Sequence, residues 1–210
     1  MQATSDFAIT GGVKLVGLTG GIASGKSTVA KILERLGAAI VNADVLAREV
    51  VEPDREAWKD IVDQFGSEVL QPNQTLDRRK LRTIIFNDPQ ARKKLEAIIH
   101  PRVRARAEEK FREHAAAGFA LVVYEVPLLF EAHIHEWLRP VVLVACDFDS
   151  QRQRLELRDQ IDSAAAQKII DAQMSLDEKR RLADYVIENN GSLSDLERQV
   201  REVLAKIQAT

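Results

Sequence analysis

The chain holds one cysteine, Cys146, in 210 residues, so no disulfide can form within it, and its chemistry suits a reducing compartment, the cytoplasm. Charge of either sign is hardly in excess. The net charge of −2 excludes bulk attraction of the whole molecule to nucleic acid or to a membrane surface. Aromatic residues make up only 5%, too few for a platform on which nucleobases stack. No run approaches the roughly 18 apolar residues of a membrane-spanning helix. The first twelve residues carry neither Lys nor Arg nor a long apolar stretch; they are unlike a signal peptide and are expected to form a loose N-terminal extension. An N/T-K-x-D guanine-specificity motif is missing, as are internal repeats and low-complexity tracts, which counts against a GTP-binding switch and a repeat fold. What is present, 45% hydrophobic and 30% charged residues, is the composition of an ordinary globular protein with one core and inserts.

The most informative stretch is Gly20-Gly21-Ile22-Ala23-Ser24-Gly25-Lys26-Ser27, which fits the phosphate-binding spacing G-x-x-x-x-G-K-S/T. Glycines at both ends let backbone N–H groups turn inward around a triphosphate. Lys26 brings a point charge to the β and γ phosphates, its ammonium solvated at the loop mouth, and Ser27 offers a hydroxyl to Mg²⁺. The apolar run Val13 to Leu18 precedes the loop. Val29, Ile32, Leu33 and Leu36 follow it at the spacing of an amphipathic helix, whose N-terminal N–H groups and dipole favour an anion.

Further apolar runs, Ala38 to Val41, Ala120 to Val123, Val141 to Ala145 and Tyr185 to Ile187, alternate with helical patterns. They predict an α/β fold with a parallel five-stranded sheet flanked by helices. Gly37 is placed to end the first helix, and Ser194 to cap a last helix carrying Leu196, Val200, Val203, Leu204 and Ile207. Cys146 ends the fourth run and reads as a packed thiol rather than a nucleophile. Two stretches exceed what a crossover needs. The expected division is a nucleotide-binding core of 1–53, 119–148 and 183–210, a helical acceptor-binding insert of 54–118, and a lid of 149–182.

Several side chains fall at strand ends or in these inserts, where ligands of open α/β sheets bind. Asp44, after the second strand, has three open roles: taking the proton of an attacking hydroxyl, ligating Mg²⁺ through water, or capping the helix of Leu46 and Val50. Glu125 is either a Walker-B-like ligand of Mg²⁺ or an ordinary strand-end acid. Arg152, Arg154 and Arg158 lie on one helix and either clamp phosphates or form a solvated face with Glu156 and Asp159. From Asp77 to Arg112 twelve Lys or Arg face five acids, which suits either a polyanionic acceptor or a surface kept charged for solubility. A helix is expected to start at Pro101, beside His100.

Taken together, several segments resemble bacterial dephospho-coenzyme A kinases over nearly the whole chain. They are Gly17 to Thr28; Ala43-Asp44 with Ala47 to Pro53; Leu76-Asp77-Arg78 with Leu81-Arg82; His100-Pro101; Val126 to Glu131; Arg154 with Arg158-Asp159; and Ala183 to Ile187 leading to Asn189-Asn190-Gly191. The resemblance implies ATP-dependent, Mg²⁺-assisted phosphorylation of the ribose 3′-hydroxyl of dephospho-CoA by a cytoplasmic monomer or small homo-oligomer, without nucleic-acid or membrane partners. It implies that Asp44 is the base and that Arg154 and Arg158 are lid arginines, which swing over the P-loop from a distance when ATP binds. ATP is expected on Gly21, Ile22, Ala23, Ser24, Gly25, Lys26, Ser27, Thr28, Asn189, Asn190 and Gly191, with Mg²⁺ at Ser27 and Glu125. Dephospho-CoA is expected on Thr19, Asp44, Arg48, Arg78, Leu81, His100, Pro101, Arg104, Pro127, Leu128 and Leu129. Three residues depart from the family pattern. Asn42 and Glu125 stand where it has aspartates, the first implying weaker help in Mg²⁺ hydration, the second a reach longer by one methylene. Ala23 replaces a common glycine, implying that its backbone needs no positive φ.

Overall fold

The computed structural model describes residues 12–209; the expected N-terminal extension lies outside them but for Gly12. In chain order come β1 (Lys14–Gly20), α1 (Lys26–Arg35), β2 (Ala39–Asn42), α2 (Ala43–Glu49), α3 (Glu56–Phe65), α4 (Arg78–Asn87), α5 (Pro89–Ala116), β3 (Leu121–Glu125), β4 (Val141–Ala145), α6 (Phe148–Asp159), α7 (Ser163–Asp171), α8 (Leu176–Leu182), β5 (Tyr185–Glu188) and α9 (Leu193–Ala209). Two compact units result among the described residues, one of 12–41 together with 111–209, the other of 42–110.

In the first unit the sheet runs β2-β3-β1-β4-β5, with β1 parallel to β3 and β4, and β4 parallel to β5. Every residue of β3 and β4 is buried, as strands covered on both faces must be. All five strands expected from the apolar runs are present. Several extend one or two residues further into polar sequence, because ladder hydrogen bonds do not require an apolar side chain. One extension matters for the site: β1 continues to Gly20, and Leu18 pairs in register with Glu125, so the loop after the central strand leaves the sheet edge beside that carboxylate.

The core joins Val16, Leu18, Val142 and Val144 of the sheet to Val29, Ile32 and Leu33 of α1 and Leu196, Val200, Leu204 and Ile207 of α9. Each such side chain adds roughly 1.5–3 kcal/mol by leaving water. Gly37, at φ 93, ends α1 as expected. Its N–H bonds Glu34 O and that of Ala38 bonds Leu33 O, both at 3.0 Å, the paired bonds of a Schellman stop. At α9 the cap is Ser192 instead of Ser194: its Oγ accepts from Asp195 N–H at 3.2 Å, and the Asp195 carboxylate, bonded back to that hydroxyl, sits below its usual pKa range. Both serines suit a cap, and only the backbone decides which is used. Cys146 is the packed thiol expected, 2% exposed, its pKa pushed up by burial.

The second unit packs Val50, Val51, Ala57, Ile61, Val69, Leu76 and Leu81 together, with Trp58, Phe65 and Ile98 against them. Val50 and Val51 bring α2 into this unit, which therefore begins twelve residues before the insert expected at 54. Pro101 does not start a helix. It lies inside the 28-residue α5, whose first residue is Pro89 and whose first turn is capped by Asp88 Oδ1, 2.8 Å from Gln90 N–H. A proline at N1 loses no bond, whereas Pro101 leaves the Ala97 carbonyl without its i+4 donor. The basic excess between 77 and 112 is also a local feature. Residues 42–110 contain fourteen Lys and Arg against thirteen Asp and Glu. Arg102 bonds Asp60 at 2.5 Å, Arg106 bonds Glu49 at 2.7 Å, and Arg104 bonds Glu108 at 3.0 Å. Arg78, Arg82, Lys93 and Lys94 are left exposed.

Candidate active site

Between Gly20 and Lys26 the chain folds back on itself, with Ser24 N–H bonding Gly21 O at 3.1 Å. Gly25 then starts α1 as its N-cap at φ 92. Among the described residues, the N–H groups of Ala23, Gly25, Lys26 and Ser27 find no acceptor. Four donors gathered at the positive end of a helix form an anion site. Ala23 overturns the expectation drawn from its missing glycine: its φ is 57. The left-handed conformation is required here and is imposed on an alanine, at about 1–2 kcal/mol. Strain of this kind persists only where neighbours over-determine the backbone.

Lys26 also differs from expectation. Its side chain is only 13% exposed, and Nζ lies 2.7 Å from Oε1 of Glu125, itself 5% exposed. Ser27 Oγ approaches the same oxygen at 3.4 Å. A carboxylate this deep needs a countercharge, and the sheet register supplies one. For Mg²⁺ the donor set fits: a hydroxyl and a carboxylate are hard oxygen ligands, and this ion ordinarily takes one or two carboxylates, waters and substrate phosphates. Among the described residues no cluster of three His, Cys, Asp or Glu offers a cage made by protein alone.

Around the loop, Thr19 is buried and donates to Pro127 O at 3.2 Å, tying β1 to the turn after β3. In that turn Leu129 is fully buried and Leu128 is 44% exposed, so Leu128 is free to meet a ligand while Leu129 is spent on packing. Asn189 Nδ2 donates to Ser24 O at 2.7 Å, and Asn190 Oδ1 accepts from Asp147 N–H at 2.8 Å. Arg154 Nη2 donates to Asn189 O at 3.0 Å and Nη1 to Cys146 Sγ at 3.3 Å. That Nη1 stands 4.0 Å from where a Cβ on Gly25 would be. Arg154 is thus already at the loop, and the expected swing from a distance is unnecessary for it. Arg158 instead holds Asp159 with both Nε and Nη2, at 2.7 and 2.9 Å; the bond raises the arginine pKa and lowers that of the aspartate. Gln151 and Gln173, which both bond Ile22, were not legible as site residues. One available signal was that Gln151 precedes Arg154 by three on one helix face.

In the second unit Asp44 is exposed on the first turn of α2. Among the described residues its carboxylate makes no hydrogen bond or ion pair. The cap of α2 is Asn42, whose Oδ1 accepts from Val45 N–H at 3.1 Å. This removes capping from the three roles open to Asp44 and gives Asn42 a task that asparagine performs as well as aspartate. Arg48, Arg78, His100, Pro101 and Arg104 are exposed, while Leu81 is 6% exposed and belongs to the core.

Gly25 and Gly37 offer a matched test of the loop. Both have φ near 92, but a Cβ on Gly25 would run into Asn189 Nδ2, whereas one on Gly37 meets nothing within 4 Å. Each alanine variant is expected to lose at least about 1 kcal/mol, with Tm falling by about 2–4 °C per kcal/mol. Calorimetric titration with ATP should show lost affinity for Gly25→Ala alone; equal losses in both would remove the loop from the binding site.

A glycine loop between a central parallel strand and a helix, with a lysine, a hydroxyl and a buried carboxylate converging behind it, defines a P-loop kinase. The family model of dephospho-CoA kinase matches residues 14–195, and the chain belongs to that family, whose members are transferases. It is 44% identical to the dephospho-CoA kinase of Geobacter sulfurreducens over 194 residues, covering 92% of this chain and 98% of the relative. Among solved structures, TT1252 from Thermus thermophilus superposes with a TM-score of 0.79 at 37% identity, covering 92% of this chain and 97% of the other. The dephospho-CoA kinase of Campylobacter jejuni does so with a TM-score of 0.70 at 30% identity, covering 93% and 97%. No described helix is long and apolar enough to cross a membrane.

Proposed function

We propose that the chain transfers the γ-phosphoryl of ATP to the ribose 3′-hydroxyl of dephospho-CoA, giving coenzyme A and ADP in the last step of coenzyme A synthesis. The nucleotide half of this reading rests on the convergence of Lys26 and Ser27 on buried Glu125 beneath four N–H groups that find no acceptor among the described residues, and the acceptor half on the family match over residues 14–195. The phosphates rest on those N–H groups, and Lys26 exchanges the Glu125 oxygen for phosphoryl oxygens. Mg²⁺, held by Ser27 Oγ and the Glu125 carboxylate, would neutralise charge on the β and γ phosphates. The 3′-oxygen attacks the γ-phosphorus as the bond to the β–γ bridging oxygen breaks, and Asp44 takes the hydroxyl proton.

Arg154, already beside Gly25, and Arg158, once released from Asp159, meet charge on the transferring group. The turn Asn189 to Gly191 borders the adenine. The helical unit provides Arg48, Arg78, His100, Pro101 and Arg104 to dephospho-CoA, joined by Thr19, Pro127 and Leu128; Leu81 and Leu129 act through packing. The helices within 149–182 serve as the lid, and the single cysteine, which can form no disulfide within the chain, suits the reducing cytoplasm. An acceptor panel tests the assignment. Dephospho-CoA is expected to exceed AMP in kcat/KM by at least ~10²-fold, about 2.7 kcal/mol of differential transition-state binding. Equal efficiency with AMP would make the chain a nucleoside monophosphate kinase.

A further inference from the structure

Ile22, at the tip of the loop, has both of its backbone polar groups taken by glutamine side chains from far along the chain. Its N–H donates to Gln173 Oε1 at 2.9 Å, and its carbonyl accepts from Gln151 Nε2 at 2.6 Å. Gln151 lies on α6 and is 9% exposed; Gln173 follows α7. The pairing sets both amides, since only an oxygen can face the N–H and only an NH₂ the carbonyl. Gly21 bears the same imprint. It is not among the positive-φ glycines, yet a Cβ there would stand 2.6 Å from Gln151 Nε2 and 3.7 Å from Gln173 Oε1. Room for the two glutamines, rather than backbone freedom, explains the glycine.

The clasp lies next to the strained residue. Ala23, at φ 57, is fixed on one side through Ile22 by the glutamines. On the other side Ser24 is held by its N–H bond to Gly21 O and by Asn189 at its carbonyl. We propose that Gln151 and Gln173 are positioning residues which hold Ala23 in the left-handed conformation and thereby aim the loop N–H groups at the ATP phosphates. Neither glutamine touches the reacting atoms in this account. They act through the Ile22 peptide, and because α6 and the segment after α7 carry them, the same bonds link the lid to the loop. Released from the clasp, Ala23 relaxes to negative φ and its neighbours' donors turn away, so ATP binds more weakly while the transfer step, once ATP is seated, is little changed.

The inference rests on the loop binding ATP, and its test is separable from the identity of the acceptor. Methionine matches glutamine in length without a polar amide, so Gln173→Met and Gln151→Met each remove one arm. ATP affinity is measured by calorimetric titration, with KM for ATP and kcat measured alongside dephospho-CoA; thermal melts report the fold. Each variant is expected to raise Kd and KM for ATP by about 5- to 10-fold, roughly 1–1.4 kcal/mol, with kcat within about 2-fold. In an Ala23→Gly background, where the left-handed conformation has no steric cost, the same Gln173→Met change is expected to weaken ATP by under about 2-fold. An unchanged ATP affinity in folded Gln173→Met protein would overturn the proposal, and so would an equal penalty in both backgrounds. Should Gln151→Met fail to fold, Gln173, which is less deeply buried, still decides the matter. Wild-type protein that binds ATP but leaves dephospho-CoA unmodified would refute the assigned reaction and not the clasp, since affinity alone reads it.

Discussion

Replacing Lys26 by methionine is expected to reduce phosphoryl transfer at least ~10³-fold, the scale on which a cation facing a transferring phosphoryl acts. The ion pair with Glu125 complicates the simplest form of the experiment. Removing the ammonium leaves a carboxylate with 5% exposure without that partner, and breaking a buried pair on one side costs roughly 3–5 kcal/mol. A loss of activity in Lys26→Met alone therefore mixes chemistry with stability. The double variant Lys26→Met, Glu125→Gln has no charge to bury and, compared with Glu125→Gln alone, which already lacks the carboxylate assigned to Mg²⁺, separates them. Its Tm is expected to recover toward that of the wild type while turnover stays at the level of Lys26→Met. Recovery of turnover to that of Glu125→Gln along with Tm would mean that Lys26 serves the fold and not the phosphates.

Asp44→Asn is expected to lower kcat by ~10²- to 10⁴-fold, the range of a lost general base, with ATP affinity little changed. The variant is clean by construction. Asp44 is exposed, bonds nothing among the described residues, and does not cap α2, so the amide substitution disturbs no packing. Steady-state kinetics with both substrates varied decide the role. A loss confined to KM for the acceptor would make Asp44 a binding group. A loss below about 10-fold would mean that the transition state is loose enough for the hydroxyl to keep its proton until the P–O bond has formed.

The loop was legible because its chemistry is contiguous: eight residues carry the turn, the charge and the hydroxyl, and the strand and helix beside them announce themselves by periodicity. The strands were legible for the same reason. What the sequence withheld depends on partners remote in the chain. Gln151 and Gln173 lie 129 and 151 residues from Ile22, and no local pattern joins them. Ala23 looked unstrained because a residue's φ is set here by what grips its neighbours, which its own identity does not reveal. Lys26 looked solvated because the register that brings Glu125 beside it belongs to β1 and β3 together. Pro101 misled by a sound local rule, since proline begins helices far more readily than it sits within them. The basic run from 77 to 112 misled through its window: acids at Glu49 and Asp60, outside it, pair with arginines inside it.

The most direct measurement is the fate of dephospho-CoA incubated with the wild-type chain, ATP and Mg²⁺, followed by mass spectrometry and by phosphorus NMR of the product. One ADP is expected per acceptor consumed, with a product heavier by one phosphoryl group and a new phosphorus resonance coupled to the ribose 3′ proton. ADP released with dephospho-CoA unchanged, or a phosphoryl group carried at any other position, would contradict the assigned reaction.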